Sequence, residues 1–221
     1  MLIGHYAAAF GAKKAAPLVS LGWLVAAAIL LDMIWPLLLL SGHEQVVLAP
    51  GNTAFTPLDF VSYPWSHSLA MSAVWGALFG GLYLAWKKDG RGALVLGALV
   101  VSHWVLDFLT HRPDLPLLPD DGIKLGLGLW NWVAGTLAVE LALFAGGVFL
   151  YARATKAGSA AGRWGLTGMV ALMLVIYAGA VMGPPPPGIP AIIGADLAQL
   201  LFVALAAWVD ARRTHDAKDQ R

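Results

Sequence analysis

Apolar residues run through this chain in six long stretches, at roughly 17–40, 66–86, 92–109, 130–151, 164–182 and 189–208, with short polar connections between them. Each approaches the ~20 apolar residues that a helix needs to cross a bilayer. Residues 1–12 are apolar too but too short to span, which predicts an interfacial or partly inserted helix. The pattern as a whole predicts an all-α, polytopic membrane bundle of six spans plus that short helix. The chain reads as one transmembrane domain over 1–221, with the chemistry-bearing motifs in 1–119 and three further spans in 130–208.

Charge then orients the bundle. All but Arg112 and Lys124 of the 14 Lys and Arg fall on one side: Lys13 and Lys14, Lys87 to Arg91, Arg153 to Arg163, and Arg212 to Arg221 including Lys218. By the positive-inside rule both termini are cytoplasmic, as an even span count requires. The N-terminus does not read as a signal peptide, because its apolar stretch precedes the lysines. Composition agrees: 59% hydrophobic against 12% charged residues is about half the charge of a soluble domain. A net charge of +1 offers no basic surface for nucleic acid, and the absence of cysteine removes disulfides, thiolate ligands and cysteine nucleophiles.

The polar residues inside the spans are therefore the informative ones, since placing them in hydrocarbon is costly. His103, Asp107 and His111 recur every four residues, so on a continuous helix they form one stripe able to hold a divalent metal. Arg112-Pro113 ends that span beside His111, which leaves His111 as a third ligand or as a cap of the last carbonyls. Ser66 is placed to cap the second span, setting His67 in its first turn. Asp32, flanked by apolar residues, needs a partner such as a histidine or metal, or else caps a helix broken at Pro36. His5 alone reads as a surface histidine. Glu140, Asp196 and Asn131 read as helix pairing or as groups that orient the histidines. His43, Glu44, Asp59, Asp114, Asp120 and Asp121 read as a solvated loop set, Trp104, Trp130 and Trp132 as interface anchors, and 184–187 as a stiff proline turn.

In chain order, Gly4-His5, Leu31-Asp32, Ser66-His67-Ser68, Ser102-His103-x3-Asp107 and the proline-bounded 116–119 resemble the YdjM-like family of bacterial inner-membrane proteins, described as predicted metal-dependent hydrolases. The resemblance covers about residues 4–119. It departs at Asp32-Met33-Ile34-Trp35, where many members carry Asp-x-Asp-His, and at Ser62-Tyr63-Pro64-Trp65, where they carry His-Arg-Gly before the histidine. The first departure lacks one carboxylate and one imidazole, and His111 is available to replace a ligand. The resemblance implies an inner-membrane hydrolase with a divalent metal, most plausibly zinc, drawn from His5, Asp32, His67, His103, Asp107 and His111. Asp107 or Asp32 would serve as general base to an activated water. A site at membrane depth near the periplasmic side suits a lipid or other amphiphilic phosphoester. The alternatives are an ion, proton or small-molecule transporter, and a non-catalytic protein whose His and Asp only join helices. A transport path predicts polar residues continuing to the cytoplasmic face, where the inner halves of the middle spans are almost wholly apolar.

Overall fold

The computed structural model describes residues 1–120 and 122–215, so Asp121, Lys218 and Arg221 lie outside the described residues. Among those described, helices carry the architecture. After α1 (Ile3–Ala12) come α2 (Leu21–Ala28) and α3 (Leu30–Leu40), then a hairpin of β1 (Gln45–Leu48) and β2 (Leu58–Ser62). A single turn α4 (Pro64–His67) leads into α5 (Leu69–Lys87) and α6 (Gly90–Thr110). A small ladder of β3 (Leu115–Pro116) and β4 (Lys124–Leu125) precedes α7 (Val133–Ala154). Next is β5 (Thr155–Ala157), then α8 (Ala160–Met182), α9 (Ile189–Ala198) and α10 (Leu200–Asp210), and β6 (Arg213–His215) pairs back with β5.

Five helical stretches are long and apolar enough to cross a membrane: α5, α6, α7, α8 and the run Ile189–Asp210 formed by α9 and α10. The first expected span departs from a single rod. It is α2 and α3, bent by 50°. The bend falls at Ile29, whose ψ of 12° leaves the helical range, while α3 continues through Pro36. Large apolar side chains such as Leu94 (75% exposed) and Val175 (69%) cover the outside of the spans. A surface this oily calls for lipid contact, because water would not tolerate so much contiguous apolar area.

α1 differs most from expectation. It is enclosed by α7, α2 and α6, with Ile3 to Ala7, Ala9 and Phe10 all buried. Gly147 makes this possible, since a Cβ there would lie 2.4 Å from the Ala7 carbonyl oxygen. Gly80 does the same for α5 against α6, where a Cβ would meet the Ala93 carbonyl at 2.6 Å. Close backbone approach at small residues is how helices gain packing energy where no hydrophobic effect drives them together.

The end of the bundle rich in basic residues is locked by a buried ion pair. Lys13 Nζ donates to Asp210 Oδ2 (2.8 Å) and to the Val19 carbonyl (2.6 Å). Asp210 also accepts from the Leu21 N–H (3.0 Å) and from the Tyr151 hydroxyl (2.8 Å), joining α1, α2, α7 and α10 at one carboxylate.

Candidate metal centre

At the opposite end, three helices bring His and Asp side chains together. α3 brings Asp32, α4 brings His67, and α6 brings His103 and Asp107 one turn apart, all but Asp32 buried. His103 Nε2 lies 3.2 Å from Asp107 Oδ2 and 3.5 Å from Asp32 Oδ1. His67 Nε2 lies 3.5 Å from the same Asp32 oxygen and 4.0 Å from Asp107 Oδ2. Ligands at about 2.0–2.1 Å around a tetrahedral ion sit roughly 3.3–3.4 Å apart; Asp32 Oδ1 comes near that spacing with both His67 and His103, and Asp107 Oδ2 with His103 alone.

The far sides of both rings fix their tautomers. His103 Nδ1 donates to the Ala28 carbonyl at 2.8 Å, one of the C-terminal carbonyls of α2 that the bend at Ile29 leaves available. Ser66 Oγ donates to Glu44 Oε2 (2.7 Å) and so accepts from His67 Nδ1 (2.7 Å). Each imidazole therefore points Nε2 toward Asp32 and Asp107, the orientation that outer hydrogen bonds impose on metal-ligating histidines. His103 Nε2 is buried with no aligned hydrogen-bond partner despite two carboxylates within 3.5 Å. Nitrogens and oxygens placed so could hold a metal ion.

His5, buried at 1% exposure, completes a second possible group with His103 and Asp107. Its ring stacks on His103 with centroids 3.6 Å apart and planes 2° from parallel. Imidazole lone pairs lie in the ring plane, so one ion cannot lie in both planes. His103 has only Nε2 to give, hence the two groups, Asp32 with His67 and His103 and His5 with His103 and Asp107, compete for one ion. His5 Nε2 lies 3.1 Å from Asp107 Oδ1, which the Met1 nitrogen also contacts, so both back the carboxylate from behind.

Glu140 holds α1 in this position. Its Oε2 accepts from the N–H groups of Leu2 (2.9 Å), Ile3 (2.8 Å) and Gly4 (3.3 Å), donors that a helix start leaves unpaired. Glu140→Ala orphans these buried groups and should cost about 1–3 kcal/mol. Thermal unfolding in detergent checks this, with metal content followed alongside because His5 and its backing of Asp107 ride on α1.

Several residues stand elsewhere than the sequence suggested. His111 leaves the stripe because α6 ends at Thr110 and its own backbone is extended (φ −62°, ψ 146°). Its Nδ1 pairs with Asp114 Oδ1 (2.9 Å), with the Tyr63 hydroxyl 3.2 Å away, so it caps no carbonyl with its ring. Burial holds the His111 imidazole below its usual pKa, with Asp114 opposing, while burial and the Asp114 charge raise the Tyr63 phenol. Ser68, not Ser66, caps α5, accepting from the Met71 N–H at 3.2 Å. Glu44 and Asp114 are buried rather than solvated, and Asp59 pairs with Arg112, whereas His43 and Asp120 are exposed. Trp104 and Trp130 are buried at 7% each and only Trp132 is an exposed anchor. Asn131 is exposed in the turn Leu129–Asn131.

Beside the centre lies a cavity of about 420 Å³, within the ~300–1,000 Å³ typical of small-molecule sites. Asp32, His67, Asp107 and His111 line one wall, and Asp196 lines it from α9. Asp196 accepts from Gln199 Nε2 (3.1 Å), and Gln199 accepts from the Tyr6 hydroxyl (2.9 Å). No family model, curated protein or solved structure matches the chain.

Proposed function

We propose that this protein is a membrane-embedded metal-dependent hydrolase, with one zinc ion held by Asp32, His67 and His103, a fourth position left for water and Asp107 beside it, acting on an amphiphile at the outer-leaflet side of a bacterial inner membrane. The observation that carries this reading is the pair of Nδ1 anchors, Ala28 for His103 and Ser66 with Glu44 for His67, which aim both Nε2 atoms at two carboxylates beside an open cavity. The resemblance of residues 4–119 to the YdjM-like family supports it, and the basic residues gathered at the opposite end support the orientation. Two imidazoles and a carboxylate with a fourth position open to water suit zinc.

When bound, the ion would bring the pKa of a water down to about 7 and polarise the scissile group. The chain's own residues do the rest. Asp107, whose Oδ1 is held by the Met1 nitrogen and His5, has Oδ2 left to take a proton from the water and to return that same proton to the leaving group. His111, its Nδ1 held by Asp114, lines the same cavity as a ring that burial keeps neutral. The apolar remainder of the wall excludes bulk water from the reacting bond.

Chelation tests the proposal. Dialysis of the purified protein against a strong chelator should abolish hydrolysis of amphiphilic esters in mixed micelles, and stoichiometric zinc should restore it. Asp107 Oδ2, 3.2 Å from His103 Nε2, favours a second reading in which it closes the shell and the ion only staples α3, α4 and α6. Under that reading chelation lowers the melting temperature while no ester is turned over before or after.

A further inference from the structure

α8 and α9 do not close on one another in the way their connection suggests. They are joined by residues 183–188, whose four prolines form a stiff spacer. Ile176, Tyr177 and Ala180 on α8 and Ile192, Ala195 and Gln199 on α9 all line the cavity, so each helix turns one face to it at helical spacing. Ile176, Ala180 and Ala195 are at the same time exposed, while α9 rests on α3 and α10 rests on α2 and α8. Phe55, Leu58 and Phe60 of the β1–β2 hairpin segment lie over the cavity, with the Phe55 ring 6.5 Å from that of Tyr177. The cavity is thus covered at the bundle's end and open at its side, between two apolar spans.

Charge narrows what such an opening admits. The lining carries three carboxylates, Asp32, Asp107 and Asp196, and no Lys or Arg. Arg112, near the hairpin, is committed to Asp59, Asn52 and Asp114. One divalent ion offsets two of the three carboxylates and the Met1 nitrogen, which lines the cavity against Asp107, offsets the third, so no Lys, Arg or uncommitted amine stands beside the ion to hold a phosphate.

We infer that the cavity takes an amphiphile with an uncharged polar head, which slides in from the bilayer between α8 and α9 with its tail left in the gap. This rests on the hydrolase reading for the head group's fate, and it makes a neutral carboxylic ester or amide the substrate class instead of the phosphoester suggested by location alone. A volume of about 420 Å³ holds a head group and part of one chain, not a whole two-chain lipid.

The full-length protein in phosphatidylcholine vesicles is photolabelled with a monoacylglycerol bearing a diazirine in its tail, and with the lysophosphatidic acid of the same chain. The neutral probe should label the α8 and α9 faces at least about tenfold more than the anionic one, since a phosphate buried without a cation to pair it carries an uncompensated desolvation cost. Ala195→Trp should cut labelling several-fold with zinc content unchanged, and Ala180→Trp serves if the first variant misfolds. Equal labelling by the anionic probe overturns the charge selection, and labelling unmoved by both tryptophans overturns the lateral route. Labelling as expected in protein that binds no zinc and cleaves no ester removes the hydrolase reading and leaves the lipid site standing. Zinc and turnover with no labelled α8 or α9 peptide does the reverse.

Discussion

Folded His103→Ala protein should hold its metal at least about a hundredfold more weakly than wild type and hydrolyse nothing. Losing a group that merely orients a ligand costs 10–100-fold in affinity, and in the proposed site His103 is a ligand itself. It is also the ring common to both possible groups of donors, so no rearrangement of His5 restores the shell. The ring's removal also releases the Ala28 carbonyl and the stack on His5. The check is elemental analysis of protein that elutes as wild type does by size exclusion, set beside His5→Ala. The His5 variant should retain stoichiometric metal with reduced affinity. Full metal loss in the His5 variant with retention in the His103 variant would invert the assignment.

The largest effect on stability is expected at the other end. Asp210→Ala leaves Lys13 fully buried without its counter-ion and strips the Leu21 N–H and Tyr151 hydroxyl of their acceptor. Breaking one partner out of a buried pair costs about 3–5 kcal/mol, most of it the penalty of the charge left behind. Lys13→Met with Asp210→Leu removes both charges and should recover most of that loss. Unfolding of the two single variants and the double variant in detergent tests this. A double variant no better than Asp210→Ala would show that the pair is not the lock it looks to be.

The contrast between these two ends explains what the sequence could and could not reveal. The spacing of His103 and Asp107 was legible because α6 persists through both, and local geometry alone sets their side chains one turn apart. His111 was not, since Pro113 pulls the backbone straight at the residue itself. The span pattern was legible from hydropathy, but the bend at Ile29 was not, because nothing local marks it. Its consequence, an available Ala28 carbonyl, appears only when α6 packs alongside. Glu44 read as a loop residue and is instead the anchor behind Ser66 and His67, brought there by a hairpin that folds back over 22 residues. Glu140 was visible as a carboxylate in an apolar span, yet its partners are amides some 136–138 residues away. Charges within spans announce that a partner exists, and only packing says which.

The mononuclear centre is tested most directly by anomalous X-ray scattering from crystals of the wild-type protein, collected at the zinc edge. The expected result is one peak per chain at about 2.0–2.2 Å from His67 Nε2, His103 Nε2 and at least one oxygen of Asp32 or Asp107. No peak there in protein loaded with zinc, with the histidines hydrogen-bonded to the two carboxylates, would contradict it and leave the cluster as a joint between helices.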